Sequence, residues 1–252
     1  MFFIINNSII ASDLLLGLNN DDFEKKGVVY KKARAVGVNF HSSGWGFDMD
    51  FINTENIFKQ KFYRIELINI KHPKEIKQQV QTRGGTTNNR AYVYGKENAF
   101  YNINFSRGIK RMLADKGRKN GVELSWIWTY GASLGILKPY YLNLCYGSPT
   151  FCEPREEKYS EENSDVFLDQ NVILGRARPT IGWQESKIIP GIRSSLSINV
   201  DYAVFDDYIQ AIEAGIFINA YYKRVPLMLV NTNQFIHPNV FVRVALGRRF
   251  YR

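Results

Sequence analysis

Ten charged residues recur at alternating positions inside otherwise apolar segments: Asp48, Asp50, Arg64, Glu66, Glu123, Arg193, Asp201, Glu213, Arg243 and Arg249. An ionised side chain leaves water only with a partner, because its desolvation outweighs what one ordinary contact returns. Acids and arginines so placed are expected to face one another in a shared enclosed space. Such a network either fills that space or lines a narrow path for ions or protons. A second constellation is His41 beside Ser42 and Ser43, a base next to two hydroxyls, as a membrane-surface lipid hydrolase would need. Neighbours on an extended chain point to opposite faces, and no orienting carboxylate can be assigned, so this signal is weak. His72 and His237 fall between patterned segments and read as loop residues. Cys145 and Cys152 could close a short loop in an oxidising compartment or remain thiols; both readings stay open. No metal-ligand spacing or cofactor motif occurs, and none is expected to act.

The elements that must position these charges are strands. From Ile188 to Tyr222 the chain reads as one long hairpin, broken at Phe205-Asp206-Asp207. Ile192, Leu196, Ile198, Val200 and Tyr202 share one face with Ser194, while Arg193, Ser195, Ser197, Asn199 and Asp201 share the other. After the break Ile212, Ala214, Ile216, Ile218, Ala220 and Tyr222 alternate with Glu213, Gly215, Phe217, Asn219 and Tyr221. A period of two is the strand signal. The polar face holds Ser, Asn, Gly and a few opposite charges but no Lys, which suits a crowded lumen better than a solvated surface. The apolar face ends in tyrosines, as strands do at a bilayer interface. A register slip of one residue would place Arg193 in hydrocarbon, at a cost of about 2–4 kcal/mol near the midplane. The pattern predicts an all-β protein: an eight-stranded antiparallel transmembrane β-barrel with long extracellular loops.

The other strands follow the same alternation at Ala33–His41, Trp45–Thr54, Gln60–Lys71, Asn98–Arg107, Gly121–Leu137 and Asn239–Tyr251. Trp45, Trp126, Trp128, Tyr130, Tyr202, Tyr222 and Phe250 are the expected interface aromatics. Segments 72–90 and 138–187 read as long loops, the second with an acidic run and some structure of its own. Residues 108–120 read as a basic connection, and the apolar PLMLV run within 224–238 has no evident place. Residues 1–32 read as a leader and periplasmic tether, with 33–252 forming the barrel. MFFIINNSIIA resembles the apolar part of a signal peptide without its basic start. Long and short connections alternate, which puts both termini in the periplasm.

The chain carries 33 Lys and Arg against 24 Asp and Glu, a formal net charge of +9. Such a balance usually suggests nucleic acid. Here the cations gather at strand ends and in loops, without the interleaved stacking aromatics that single strands require, so nucleic acid is not expected. Lys31, Lys32 and the C-terminal arginines bias the basic charge towards the termini end. Membrane lipids, lipopolysaccharide among them, and other outer-membrane or periplasmic proteins are the expected partners.

The phrases SSGWGFDMDF, KFYRIELINIKHPKEIK, YVYGKENAFYNINFSRG, GVELSWIWTYGASLGILKPYYL and IIPGIRSSLSINV resemble a Bacteroidota outer-membrane β-barrel family. The terminal alternation from Val240 to Phe250 is similar to the last strand of barrels whose closing aromatic the assembly machinery recognises. The resemblance implies a barrel in the bacterial outer membrane and a place as a subunit of the outer-membrane protein assembly machinery; it carries over no catalytic motif. An eight-stranded barrel is filled by its own side chains. The expected role is therefore that of a non-enzymatic accessory subunit of an envelope complex, with a narrow channel and a lipid-modifying enzyme as the alternatives.

Overall fold

No helix of the described residues is long and apolar enough to cross a membrane. The computed structural model describes residues 30–56, 58–79, 90–115, 121–148, 151–205, 207–229 and 233–250. In chain order the strands are β1 (Lys32–His41), β2 (Gly44–Asn56), β3 (Lys59–Ile70), β4 (Lys77–Gln78), β5 (Tyr92–Val93), β6 (Asn98–Ala114) and β7 (Glu123–Pro139). There follow β8 (Tyr141–Ser148), β9 (Phe151–Lys158), the short helix α1 (Ser164–Phe167), β10 (Ile173–Arg176), β11 (Lys187–Asp201), β12 (Tyr208–Val225) and β13 (Gln234–Phe250).

Eight of these close into a barrel in the order β1-β13-β12-β11-β7-β6-β3-β2, every neighbour antiparallel. Closure leaves no unpaired edge, as a strand structure surrounded by lipid requires. The pairing of β1 with β13, the first and last of the described strands, runs from Lys32↔Phe250 to His41↔Phe241 without a slip.

Which face is buried reverses the rule of soluble proteins. Ile192 is 68% exposed and Val240 63%, whereas Arg243 is 2% exposed and Glu213 fully buried. The apolar set therefore forms the outer wall and the polar set fills the inside, the arrangement of a barrel solvated by acyl chains. No water-facing register would leave so continuous an apolar belt uncovered.

The connections sort by length. At the termini end they are short, after β2, β6 and β11; at the far end only the β1–β2 turn is tight. Gly44 makes that turn at positive φ, and a Cβ there would collide with the Asn69 carbonyl oxygen. At the far end β8, β9 and β10 form a separate three-stranded sheet, and β4 pairs with β5. Leu142, Leu144 and Phe167 are fully buried there, with Tyr92, Tyr140 and Ile173 around them, so this cap has its own core. Cys145 and Cys152 are joined in a disulfide across the β8–β9 hairpin.

Two expectations need correction. The basic connection begins later than Gly108, because β6 runs on to Ala114 and carries Lys110 and Arg111 as strand residues. The first part of the acidic run is not irregular: residues 153–158 lie in β9, registered against β8 from Tyr141↔Lys158 to Ser148↔Phe151. Of the leader and tether expected over residues 1–32, residues 1–29 lie outside the described residues and Lys32 already belongs to β1; the strand end at Tyr251 also lies outside them.

Ile216 stands at the middle of β12, 53% exposed on the outer wall. Arginine there is expected to lower unfolding free energy in lipid vesicles by about 2–4 kcal/mol. Urea titration of the reconstituted Ile216→Arg variant checks this, and an unchanged midpoint would place that face in water.

Candidate functional site: the lumen and its mouth

Inward parity delivers charges from strands that are far apart in sequence to one level of the barrel. β2 supplies Asp48 and Asp50, β3 Arg64, β12 Glu213 and β13 Arg243. Arg64 binds Asp50 through Nε at 2.7 Å and Nη2 at 3.0 Å, and Glu213 through Nη2 at 2.9 Å. Arg243 donates to Asp48 through Nε at 2.7 Å, to Asp50 at 2.8 Å and to Glu213 at 3.0 Å. Ser197 adds a hydroxyl to Glu213 at 2.6 Å. β3 and β12 stand four steps apart in a ring of eight, so the Arg64–Glu213 contact crosses the full lumen.

β1 lies between β13, which carries Arg243, and β2, which carries Asp48, and contributes Gly37. A Cβ at Gly37 would come within 2.6 Å of both Arg243 Nε and Asp48 Oδ2. The glycine is the gap through which that ion pair passes over β1.

A second buried pair sits beside the cluster. Arg193 reaches Glu66 at 2.6 Å through Nε, donates to Asn219 at 3.1 Å, and lies 3.9 Å above the Phe217 ring. Nearer the termini end Glu123 pairs with Lys110 at 2.8 Å, and Asp201 with Arg249 at 2.7 Å. All ten charges expected in the lumen thus lie inside the barrel, but in separate groups: a central five, the Arg193–Glu66 pair, and two pairs near the rim. Lys110 completes one of these. It was hidden by the early end assigned to its strand, although Asn104, Ser106 and Gly108 continue the same inward parity.

The far half of the lumen holds an apolar cluster beside buried Asn102, Ser133 and Asn219. Phe100, Phe217, Tyr221 and Phe241 pack there with Ile70 and Leu137, and Tyr221 meets Phe100 edge-on at 5.1 Å. Residues 226–229, the described part of the unplaced PLMLV run, close the mouth above them. Leu227 and Met228 are buried on this plug, and Met228 bridges to Lys96. Large inward residues at Phe217, Tyr221 and Phe241 were visible in the alternation; what they would build was not. At the mouth Lys96 binds Glu75 at 2.5 Å over the Tyr140 ring. Burial, with help from nearby Arg176 and Lys71, pulls its ammonium below the ordinary lysine range against the opposing pull of Glu75.

Towards the termini the lumen narrows to a small recess of about 40 Å³ between the ion cluster and Ala33, Ala35, Ala211 and Ala245. That volume holds one or a few waters. No continuous passage exists among the described residues, since the ion cluster and the aromatic plug occupy successive levels.

No hydrogen bond joins His41 to Ser42 or Ser43 among the described residues. The His41 ring points inward onto Phe217 at 5.3 Å, while Ser42 and Ser43 both donate to Asn239 Oδ1, at 2.8 and 2.6 Å. Among the interface aromatics, Trp45 and Tyr222 are exposed near the far end. Trp128, Tyr130, Tyr202 and Phe250 are exposed in the half nearer the termini, where Trp126 is half-buried under Arg111.

No protein-family model and no curated protein sequence matches the chain. Solved structures similar to it include Ail, the attachment invasion locus protein of Yersinia pestis, in complex with the heparin analogue sucrose octasulfate. That match has 8% identity and a TM-score of 0.39, over 87% of this chain and 99% of that one. Neisserial surface protein A matches at 8% identity with a TM-score of 0.38, over 87% and 96% of the two chains. A major outer membrane protein from Thermus thermophilus matches at 8% identity with a TM-score of 0.43, over 87% and 98%.

Removing one member of a buried ion cluster strands its partners, at about 3–5 kcal/mol. Arg243→Leu, which leaves Asp48, Asp50 and Glu213 short of a cation, is expected to lower stability by that much. Gly37→Val, which forces the arginine off Asp48, is expected to act in the same direction. Urea midpoints of both variants in vesicles decide it; wild-type values for Arg243→Leu would mean that the cluster braces nothing.

Proposed function

We propose that this chain is a non-enzymatic outer-membrane β-barrel that works through its surfaces, as an accessory subunit of an envelope complex. The observation that carries the reading is the filled lumen. A guanidinium–carboxylate cluster spans the barrel from wall to wall, and an aromatic plug closes the half beyond it. With the interior occupied, function falls to the cap, the rims and the lipid-facing wall. The folded cap is a ready contact surface, since β8, β9 and β10 hold a core of their own and a disulfide suits an oxidising compartment.

Bacterial barrels keep short turns on the periplasmic side and long loops outside. By that rule the termini face the periplasm and the cap faces the medium. The resemblance to a Bacteroidota outer-membrane barrel family supports the same location. It also favours the outer-membrane protein assembly machinery as the complex, with a secretion machine as the other candidate of the same kind. Acyl chains and lipopolysaccharide surround the wall, and protein partners meet the cap or the periplasmic rim. The inward turn of His41, away from Ser42 and Ser43, supports a role without hydrolysis.

Purification from native membranes in mild detergent, followed by mass spectrometry, is expected to recover the chain with a stoichiometric protein partner. Recovery as a solitary monomer would remove the subunit role. In planar bilayers the purified barrel is expected to show no discrete conductance steps; sustained steps would replace this reading with a channel.

A further inference from the structure

The registered rows of the barrel wall place three cations side by side on the outside, at the termini end. In one row Phe51, Arg34, Arg248 and Tyr208 are successive partners across β2, β1, β13 and β12. In the row beyond it, Asn53, Lys32 and Phe250 are partners across β2, β1 and β13. All these positions have outward parity, and Lys32, Arg34, Arg248 and Phe250 are exposed. Arg34 and Arg248 therefore stand directly opposite each other, like charge beside like charge. Cross-strand pairs of like charge destabilise a sheet unless something neutralises them.

Nothing in these rows does so, because no outward position in either is acidic. The aromatics frame the cations instead: Arg248 lies 5.9 Å over the Tyr208 ring, and Phe51 and Phe250 line a groove with Lys32 and Arg34. One row further into the wall the partners become Met49, Val36, Leu246 and Gln210, where the apolar belt begins. Going outwards along the strands, the wall thus passes from apolar side chains to paired arginines to the chain ends.

We propose that this patch on β2, β1, β13 and β12 binds the headgroup of an anionic phospholipid in the leaflet at the termini end. The proposal rests on the membrane-barrel reading. Arg34 and Arg248 hold the phosphate between them, guanidinium being suited to bidentate phosphate binding. Lys32 adds charge from the row beyond, and the acyl chains lie along Val36, Met49 and Leu246. Charge complementarity selects the occupant: the cations need an anion, and the adjoining wall needs hydrocarbon. An acidic protein segment would satisfy the first requirement only.

Native mass spectrometry of the full chain in mild detergent tests it, with phosphatidylglycerol and phosphatidylcholine of identical acyl chains as probes. The wild type is expected to retain phosphatidylglycerol in preference. Arg34→Gln with Arg248→Gln is expected to lose about tenfold to thirtyfold of that preference, from the usual worth of two basic residues near an anionic surface. Arg34→Lys with Arg248→Lys should keep part of it, and Lys223→Gln with Arg224→Gln, at the far rim, should keep all of it. Equal retention of the two lipids, an unchanged preference in the double Gln variant, or displacement by excess inorganic phosphate would overturn the site. Migration in gels before and after boiling separates the premises. A compact, heat-sensitive barrel without lipid preference defeats the patch alone, and a chain that never enters lipid defeats the membrane reading with it.

Discussion

The contact between Arg64 and Glu213 is the constraint to which the rest of this barrel answers. Once the middle of the outer wall is apolar, the charged residues of the strand midsections must turn inward, and ionised groups there have only one another and a little water. The arginine spans the lumen because its partner comes from the diametrically opposite strand. A pair on neighbouring strands would neutralise charge equally well, but it would not tie opposite walls together. Arg243 shares Asp50 and Glu213 with Arg64, so the two guanidiniums and three carboxylates hold as one unit. Removing any member strands the others, which is why such clusters resist piecemeal change even where an apolar core would be as stable.

The space for that unit is set by residues that carry no charge. Gly37 gives Arg243 room to cross β1. Alanines at 33, 35, 211 and 245 keep the recess below the cluster open. Phe62 and Phe217 offer ring faces to Arg64 at 5.1 Å and Arg193 at 3.9 Å, a favourable lining for a guanidinium away from bulk water. The lumen is therefore packed by size as well as by charge, which in an eight-stranded barrel leaves little to spare.

Alternation alone made most of this legible. The inward parity of Asp48, Asp50, Arg64, Glu213 and Arg243 can be read from the chain, since a period of two admits just two faces and hydrocarbon excludes one of them. Which carboxylates each arginine would join was not legible in full, because Arg64 and Glu213 come from strands four steps apart, Arg243 and Asp48 from strands two apart, and ring order is a property of closure. The cap escaped for another reason. The strands β8 and β9 carry Asn143, Glu153, Arg155, Glu156 and Glu157 among their apolar residues, and β10 is only four residues long, so no period stands out over a readable length. Leu227 and Met228 escaped because they lie in a connection, where alternation gives no address. Lys110 was lost to a boundary set too early on β6, the least dependable kind of statement a pattern can support.

A barrel closed inside is still asymmetric along its axis, and that asymmetry directs where its surfaces can act. At the far end, the mouth is sealed by side chains that belong partly to the barrel and partly to the cap. Tyr140 shows the join: its hydroxyl accepts the Val93 amide at 3.2 Å, and its ring faces both Lys96 and Arg176. A movement of the cap would have to disturb Lys96 and its pairing with Glu75, so the cap and the plug are mechanically one piece. The termini end has no comparable lid among the described residues. There the wall ends in cations and aromatics, and the recess beneath the ion cluster faces the same side. Whatever approaches the cap meets a braced surface with its own core, whereas whatever approaches the termini end meets exposed cations. The chain thus presents a rigid, disulfide-tied face on one side of the bilayer and an electrostatic one on the other, and its two ends are suited to different partners.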